Sequence, residues 1–193
     1  PRLPEGDVAL DSLVRGPGEL ELEIGPGRGG FILERCATSD ARIVGLEIRR
    51  KWACVIDERL AARGYGERAR AFCEDARQAL PRIVPDGCLA RVFVHFPDPW
   101  WKKRHQKRLV IVDTFVAQLA RLLLDDVELF VQTDVPERAD EYAERIAGAE
   151  LVPAGIRGAH IDDSPFEARS NRERRAMQDG LPVRRLLFRR QPR

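Results

Sequence analysis

The sequence predicts an α/β fold in which a parallel β-sheet carries helices on both faces. Three observations predict it: short apolar runs rich in β-branched residues recur along the chain, stretches with helical periodicity lie between them, and glycines follow the first run. Strands that alternate with helices form βαβ units, and their crossovers place helices on both faces of a parallel sheet. The 193 residues show no linker or change of composition, so we expect one domain over residues 1–193.

The individual elements follow from the apolar pattern, taken in order along the chain. The predicted strands are 18–25, 42–48, 69–74, 90–96 and 127–133, with 182–190 as a closing strand. The predicted helices are about 29–37, 50–63, 76–82, 106–124 and 136–148. In an open sheet of this kind ligands bind at the carboxyl ends of the strands, so the residues that follow each strand carry the functional information.

Composition and spacing exclude several classes of protein. No run of 18 apolar residues is present, and the first ten residues lack the basic head and apolar core of a secretory signal. The four cysteines lie 15 to 19 residues apart without a C-x-x-C pair, which fits neither a zinc site nor a disulfide scaffold. We therefore expect reduced thiols, no metal, no membrane partner and a cytoplasmic location.

The charges are unevenly distributed along the chain. The net charge is +2, but residues 95–108 carry +4 and residues 169–193, with nine arginines, carry +7. The rest of the chain therefore carries −9. An acidic body with two concentrated basic segments suggests a polyanionic partner that binds at one surface.

A glycine-rich loop follows the first predicted strand, with the sequence Glu23-Ile24-Gly25-Pro26-Gly27-Arg28-Gly29-Gly30. Glycines at this place allow a sharp turn into a helix and a close approach of backbone N–H groups to a ligand. The spacing satisfies the dinucleotide pattern G-x-G-x-x-G and equally the E/D-x-G-x-G-x-G loop of class I S-adenosylmethionine methyltransferases. The loop predicts a cofactor site and leaves open which of the two cofactors binds.

Carboxylates follow the next two strands. Glu47 lies about 20 residues beyond the glycine loop, where a carboxylate can accept hydrogen bonds from the ribose hydroxyls of either cofactor. Asp75 follows the third strand, where it can cap the next helix and can also accept a hydrogen bond from an adenine amino group.

The end of the fourth strand carries the most specific pattern, His95-Phe96-Pro97-Asp98-Pro99-Trp100-Trp101, followed by the basic run Lys102 to Arg108. Two prolines restrict the backbone on either side of Asp98 and cannot continue a strand ladder, so the carboxylate is presented from a stiff loop. Aromatic residues next to a run of cations are typical of a nucleobase pocket surrounded by phosphate contacts.

These motifs resemble the bacterial tRNA (guanine-N7)-methyltransferase family. The resemblance rests on Leu22 to Gly25, Gly45 to Glu47 and the Phe96 to Arg108 run, with Thr133-Asp134 and Ser164 to Arg169 as two further motifs. It implies a Rossmann-like class I methyltransferase fold with a mostly parallel seven-stranded sheet. It also implies S-adenosylmethionine as cofactor, tRNA as partner, a monomer or homodimer, and methylation of a guanine in the variable loop.

The resemblance also implies roles for individual residues. Glu23, Gly25, Gly27, Glu47, Asp75 and Asp98 fall on cofactor-binding positions, with Asp98 also in the active site. Lys102, Arg108, Asp134 and Ser164-Pro165-Phe166-Glu167 fall on substrate-contacting positions. The family's usual Thr-Lys-Phe-Glu is Ser-Pro-Phe-Glu in this chain, which removes a lysine and a backbone N–H at position 165.

Three alternatives remain beside this interpretation. A dinucleotide-dependent oxidoreductase fits the glycine loop but does not account for Pro97-Asp98-Pro99-Trp100. A methyltransferase for another RNA base would share the cofactor loop. A non-catalytic RNA-binding module of the same fold would retain RNA without transferring a methyl group.

Overall fold

A computed structural model describes residues 1–98 and 109–193. The strands are β1 (Val8–Ala9), β2 (Leu20–Ile24), β3 (Arg42–Glu47), β4 (Ala69–Cys73), β5 (Ile83–Val84), β6 (Leu89–His95), β7 (Leu123–Thr133), β8 (Leu151–Pro153), β9 (His160–Ile161) and β10 (Arg184–Arg190). The α-helices are α1 (Gly30–Thr38), α2 (Arg50–Ala62), α3 (Ala76–Ala79), α4 (Asp113–Leu122), α5 (Pro136–Ala147) and α6 (Asn171–Gln178).

The main sheet has the strand order β4-β3-β2-β6-β7-β10-β8. β4, β3, β2, β6 and β7 are parallel, whereas β10 pairs antiparallel with β7 and with β8. The two-residue β9 also pairs with β10, so an eighth short strand accompanies the seven along the path. The predicted mostly parallel α/β sheet is confirmed. β1 and β5 form a separate parallel pair.

Helices cover both faces of this sheet because alternate residues of each strand point to opposite sides. On one face, Leu22 of β2 belongs to a buried cluster with Phe115 of α4 and Tyr142 of α5. On the other face, Ile43 of β3 is buried with Ile32 of α1 and Ile56 of α2. No helix within the described ranges 1–98 and 109–193 is long and apolar enough to cross a membrane.

Two predicted helices end earlier than the apolar pattern indicates. The prediction of a helix to residue 124 is wrong, because α4 ends at Leu122 and β7 begins at Leu123, which pairs with Leu89 of β6. Asp126, which has a φ of +62°, interrupts the apolar pattern of this long strand. The sequence pattern therefore predicts only the second half of β7. The helix predicted over 76–82 is the four-residue α3 followed by a 3-10 turn, since Pro81 lacks the N–H that an α-helix requires.

The strand order reverses at the middle of the sheet. From β2 the chain runs outward through β3 to β4, and it then returns to form β6 on the other side of β2. The crevice where the strand order reverses is the usual ligand site of an open α/β sheet. The glycine loop after β2 and the Phe96-Pro97-Asp98 segment after β6 both lie at this point.

Candidate functional site

Two adjoining cavities lie at the carboxyl ends of the parallel strands. The smaller, of about 450 Å³, is lined by Glu47, Glu74 and Asp75, and we call it the carboxylate cavity. The larger, of about 900 Å³, is lined by five arginines, and we call it the arginine cavity; these are Arg28, Arg49, Arg172, Arg174 and Arg175. Both cavities share one wall, formed by Gly25, Arg49 and the segment from His95 to Asp98.

The glycine loop gives both cavities a backbone wall. Gly25 and Gly27 have φ values of +74° and +59°, a region in which a side chain is strained. A Cβ at Gly25 would also lie 3.2 Å from the carbonyl oxygen of His95, which is closer than such contacts normally come. Both positions therefore need glycine so that the loop can turn between β2 and α1.

Glu47 connects the carboxylate cavity to the glycine loop. Glu47 is 2% exposed, and its Oε2 accepts a hydrogen bond from the Gly27 N–H at 3.0 Å. Its Oε1 accepts hydrogen bonds from the backbone N–H of Arg49 at 2.9 Å and from Arg49 Nε at 3.1 Å. A carboxylate has about four lone-pair sites, so Glu47 keeps acceptor capacity toward a ligand while the loop fixes its position.

Asp75 caps α3, as its position after the third strand predicts. Its Oδ1 accepts a hydrogen bond from the backbone N–H of Arg77 at 3.0 Å, and Oδ2 accepts one from the Arg77 guanidinium at 2.6 Å. The hydrogen bonds from Arg77 lower the pKa of the Asp75 carboxyl below its usual value. Asp75 is therefore a fixed negative charge in the wall of the carboxylate cavity.

Asp98 lines both cavities. The backbone reaches it through Phe96, which has a φ of +48°, and the Phe96 N–H donates to the carbonyl of Gln132 at 2.8 Å. A left-handed bulky residue is strained and persists only where its surroundings fix it. The Asp98 side chain is exposed, and no residue in the described part of the chain donates a hydrogen bond to it. Asp98 thus contributes an exposed carboxylate to the wall of both cavities.

Glu23 lies beneath this wall rather than in it. Its side chain is fully buried, Oε1 lies 2.8 Å from His95 Nδ1, and the His95 ring packs edge-on against Phe31 with centroids 4.4 Å apart. Glu23 Oε2 and His95 Nε2 are buried and have no hydrogen-bond partner among the described residues. Glu23 therefore contacts the cavity wall through His95, and a direct cofactor contact by Glu23 stays a prediction.

The short helix α6 forms the side of the arginine cavity that faces the glycine loop. Ser170 Oγ caps it by accepting a hydrogen bond from the Glu173 N–H at 3.0 Å. Asn171 Oδ1 accepts a hydrogen bond from the Gly30 N–H at 2.9 Å, which joins α6 to the start of α1. Arg172 pairs with Asp134. Asp134, which the sequence predicts to contact the substrate, therefore lies in the cavity wall beside α6.

A methyltransferase family model, described as "Putative methyltransferase", matches residues 18–186. The chain is 40% identical over 170 residues to a tRNA (guanine-N(7)-)-methyltransferase of Anaeromyxobacter dehalogenans, covering 88% of this chain and 84% of the relative. It is 39% identical to the enzyme of the same name from Myxococcus xanthus, covering 86% and 81% of the two chains. The chain belongs to the tRNA (guanine-N7)-methyltransferase family.

Solved structures support the same fold. The 16S rRNA methyltransferase KamB superimposes with a TM-score of 0.63 at 18% identity, covering 95% of this chain and 91% of its own. TrmN from Thermus thermophilus gives a TM-score of 0.62 at 19% identity, covering 90% and 44%. At this level of identity the likeness concerns the fold alone, which is that of class I S-adenosylmethionine methyltransferases.

The carboxylate cavity fits the cofactor of a tRNA (guanine-N7)-methyltransferase. S-adenosylmethionine presents hydroxyl and amino donors, and the acidic side chains of Glu47 and Asp75 are matching acceptors fixed by hydrogen bonds. The glycine loop brings backbone close to the same space without a Cβ in the way. No group of three or more His, Cys, Asp or Glu side chains in the described part of the chain is arranged to hold a metal ion.

The segment Ser164 to Glu167, which carries a motif of the tRNA (guanine-N7)-methyltransferase family, lines neither cavity. Phe166 is 8% exposed and packs edge-on against Phe93 and Phe130, with ring centroids 5.0 and 5.2 Å apart. Ser164 Oγ accepts a hydrogen bond from the Phe166 N–H at 3.2 Å, and Pro165 and Glu167 are exposed. The structure therefore gives Phe166 a packing role, and substrate contacts by the segment stay predictions.

The remaining predicted substrate residues, and the residues that the sequence did not single out, lie after β6 and in α6. Lys102 and Arg108 lie outside the described residues. Sequence reasoning missed Asn171 and the cavity-facing arginines of α6, because it treated residues 169–193 as one basic run. The Ser170-x-x-Glu173 pattern is a helix-start signal and indicates α6.

Proposed function

We propose that this protein transfers the methyl group of S-adenosylmethionine to N7 of a guanine in the variable loop of tRNA. The observation that carries the proposal is the position of Asp98, a carboxylate without a described donor at the junction of a carboxylate cavity and an arginine cavity. Family membership supports methyl transfer to tRNA, and the charge of each cavity suits one of the two ligands. The position within the variable loop rests on the resemblance of the motifs.

The cofactor would be held in the carboxylate cavity. Glu47 is the proposed acceptor for the ribose hydroxyls, and Asp75 for the adenine amino group. Gly25 and Gly27 allow the backbone of the loop to approach it. When bound, S-adenosylmethionine supplies an electrophilic methyl group on a positively charged sulfur.

The chemistry at guanine N7 needs no general base. N7 carries a lone pair and no proton, so this chain has to align the base and stabilise its charge rather than remove a proton. Alignment alone supplies roughly 7–11 kcal/mol in the best intramolecular systems. Folded RNA buries N7, and exposing the base costs a few kcal/mol, which the cavity contacts must offset.

Asp98 is the proposed catalytic residue. A carboxylate accepts two hydrogen bonds side by side, which matches the N1–H and N2–H₂ donors of guanine. Adenine does not offer this donor pair, so the same contact selects guanine. The guanine becomes cationic when N7 gains the methyl group, and a fixed negative charge stabilises that state more than the neutral base.

The proposed setting is the cytoplasm, where tRNA is the substrate, with the chain acting as a monomer or homodimer without a resident metal or a membrane partner. All four cysteines are free in the structure. Light scattering of the purified chain, alone and with tRNA, distinguishes the two oligomeric states.

The test is methyl transfer from labelled S-adenosylmethionine to total tRNA, followed by aniline cleavage, which cuts RNA at N7-methylguanine. We expect cleavage at one variable-loop guanine, and a matched transcript with 7-deazaguanosine there should accept no label. Label without cleavage would indicate methylation of another base. Retention of tRNA without label would favour a non-catalytic RNA-binding module, and binding of NAD in place of S-adenosylmethionine would favour an oxidoreductase.

A further inference from the structure

The arginines of the C-terminal basic segment, residues 169–193, fall into two groups with different surroundings. Arg185 and Arg190 on β10 are buried, at 9% and 4% exposed. Arg185 donates to Glu173 Oε1 at 2.9 Å, and Arg190 Nε donates to the carbonyl of Ala120 at 2.7 Å. These two guanidinium groups are committed to the interior and have structural roles.

The arginines of α6 instead face the arginine cavity. Arg172, Arg174 and Arg175 all line it, and their side chains are 57%, 44% and 69% exposed. The opposite face of the helix carries Glu173 and Ala176, which are 1% exposed. Five of the eight residues of α6 line the cavity, so the helix presents its polar face to that space.

The position of α6 is fixed at three points. Ser170 caps its first turn, Asn171 Oδ1 binds the Gly30 N–H at 2.9 Å, and the buried Glu173 pairs with Arg185 at 2.9 Å. The contact to Gly30 ties the helix to the loop that borders both cavities. The arginine face is therefore preorganised relative to the cavity wall, which lowers the entropic cost of binding a ligand there.

The α6 arginines pair with acidic neighbours through ion pairs that a ligand can replace. Arg172 pairs with Asp134, and Arg175 pairs with Asp179 at 2.7 Å. Exposed ion pairs of this kind contribute little stability, because water screens them and the side chains lose entropy. An RNA phosphate offers the planar guanidinium the same two-point contact as a carboxylate, so it can replace these weakly bound partners.

A further cation lies in the wall of the same cavity. Arg28 of the glycine loop is exposed, and its guanidinium lies over the Trp52 ring, 5.2 Å from the centroid. Within residues 1–98 and 109–193 no carboxylate lies within ion-pair distance of it. The cavity, at about 900 Å³, is at the upper end of the ~300–1,000 Å³ typical of ligand sites. It has room for a nucleotide together with backbone on either side.

We propose that α6 is a phosphate-binding helix. Arg172 and Arg175 bind RNA phosphates next to the nucleotide whose base reaches Asp98, and Arg28 contacts the backbone from the glycine loop. This subsite rests on the proposed function, since it takes the ligand in the arginine cavity to be RNA. The proposal also gives the basic segment two roles. The arginines of α6 bind the RNA backbone, while the buried arginines of β10 stabilise the fold.

The first experiment compares two charge-matched double variants of the full chain. Arg172→Gln with Arg175→Gln removes two charges from the cavity face, and Arg184→Gln with Arg189→Gln removes two exposed charges of β10 that line neither cavity. The α6 pair should weaken tRNA binding about tenfold for each arginine lost. It should also flatten the log–log dependence of affinity on salt by about 1 for each phosphate contact. The β10 pair should leave both quantities nearly unchanged.

The second experiment removes the charge from the RNA instead. A tRNA with a neutral methylphosphonate linkage beside the target guanosine should bind the intact protein more weakly. The same linkage should cost the α6 double variant little, because the arginines that read the charge are gone. Equal losses in both proteins would overturn the phosphate contact, as would equal salt slopes for the two double variants.

These binding measurements are independent of methyl transfer. Failure of the intact protein to methylate tRNA would contradict the proposed function, while the binding comparison would still show whether α6 contacts phosphates. Methylation by the intact protein together with unchanged binding by the α6 pair would overturn the phosphate-binding helix alone. Unchanged S-adenosylmethionine affinity and an unchanged melting temperature verify that the α6 variant is folded and that its effect is confined to RNA.

Discussion

The two cavities share a wall but carry opposite charges. In the carboxylate cavity, Glu47 and Asp75 are held by hydrogen bonds from the glycine loop and from α3. In the arginine cavity, the guanidinium groups come from α6, from the glycine loop and, at the shared wall, from Arg49. The first offers acceptors to a ligand rich in hydroxyl and amino donors, and the second offers donors to a polyanion. We propose that this sheet edge distinguishes two ligands by their charge.

Among the residues that the structure describes, Asp98 is the one acidic side chain that lines both cavities. Its neighbours in the carboxylate cavity are fixed by partners, whereas Asp98 lacks a described donor. An exposed carboxylate in the shared wall is suited to contact a ligand directly. We propose that the cofactor binds on one side, RNA on the other, and that the reaction takes place at the residue between them.

The largest expected effect follows from removing the charge between the cavities. Asp98→Asn is nearly isosteric but loses the negative charge and half of the acceptor capacity. Loss of one preorganised electrostatic contact costs about 10²–10³ in rate, or about 2.7–4 kcal/mol. We expect kcat to fall by this factor while tRNA affinity changes by less than about tenfold, because phosphates dominate RNA affinity.

Single-turnover methylation at saturating S-adenosylmethionine, run beside a melting curve, measures this effect. A lower melting temperature with normal turnover per folded molecule would mean that Asp98 only supports the loop. Near-normal turnover in a well-folded Asp98→Asn protein would refute its catalytic role.

A smaller effect should be confined to the carboxylate cavity. Glu47→Ala removes a charged acceptor and should weaken S-adenosylmethionine binding by about 1.5–3 kcal/mol, or roughly 10- to 150-fold. The affinity for tRNA should stay within about twofold, because Glu47 lines the carboxylate cavity and not the arginine cavity. Calorimetric titration with each ligand separates the two, and Glu58→Ala, an exposed acid on α2, is the matched control. An unchanged cofactor dissociation constant would disprove the assignment of Glu47.

The smallest effect concerns the anchoring of the arginine cavity. Ser170→Ala removes the N-cap of α6, which typically costs ~1 kcal/mol. Loosening this helix should weaken tRNA binding by up to about fivefold, with little change for S-adenosylmethionine. Ser170→Thr keeps the capping oxygen and should restore RNA affinity. If Ser170→Ala and Ser170→Thr bind tRNA alike, the cap does not contribute to the RNA site.

The sequence predicted the carboxylate cavity better than the arginine cavity for a physical reason. Glu47 and Asp75 each follow a strand of the parallel sheet, and strand ends converge at one edge whatever the details of packing. Local periodicity and the glycine loop were therefore enough to bring these residues together. The alternation of strands and helices likewise predicted the mostly parallel sheet and both helical layers.

The arginine cavity depends on contacts between distant parts of the chain. Asn171 binds Gly30 across 141 residues of sequence, and nothing near either residue predicts the partner of the other. Phe166 is a similar case, because its packing among Phe93 and Phe130 joins distant parts of the chain, while its substrate contact stays a prediction. Arg172 and Arg185 look equivalent in the sequence, and their different surroundings emerge only from the fold.

The most direct test of the opposite charges of the two cavities is the salt dependence with which each ligand binds to the intact protein. Dissociation constants for tRNA and for S-adenosylmethionine are measured at a series of salt concentrations in one buffer. We predict a log–log slope steeper than about −2 for tRNA, because several phosphate contacts release counterions, and a slope near zero for the cofactor. Equal slopes for the two ligands, or a slope near zero for tRNA, would contradict the division of the site into a carboxylate cavity for the cofactor and an arginine cavity for RNA.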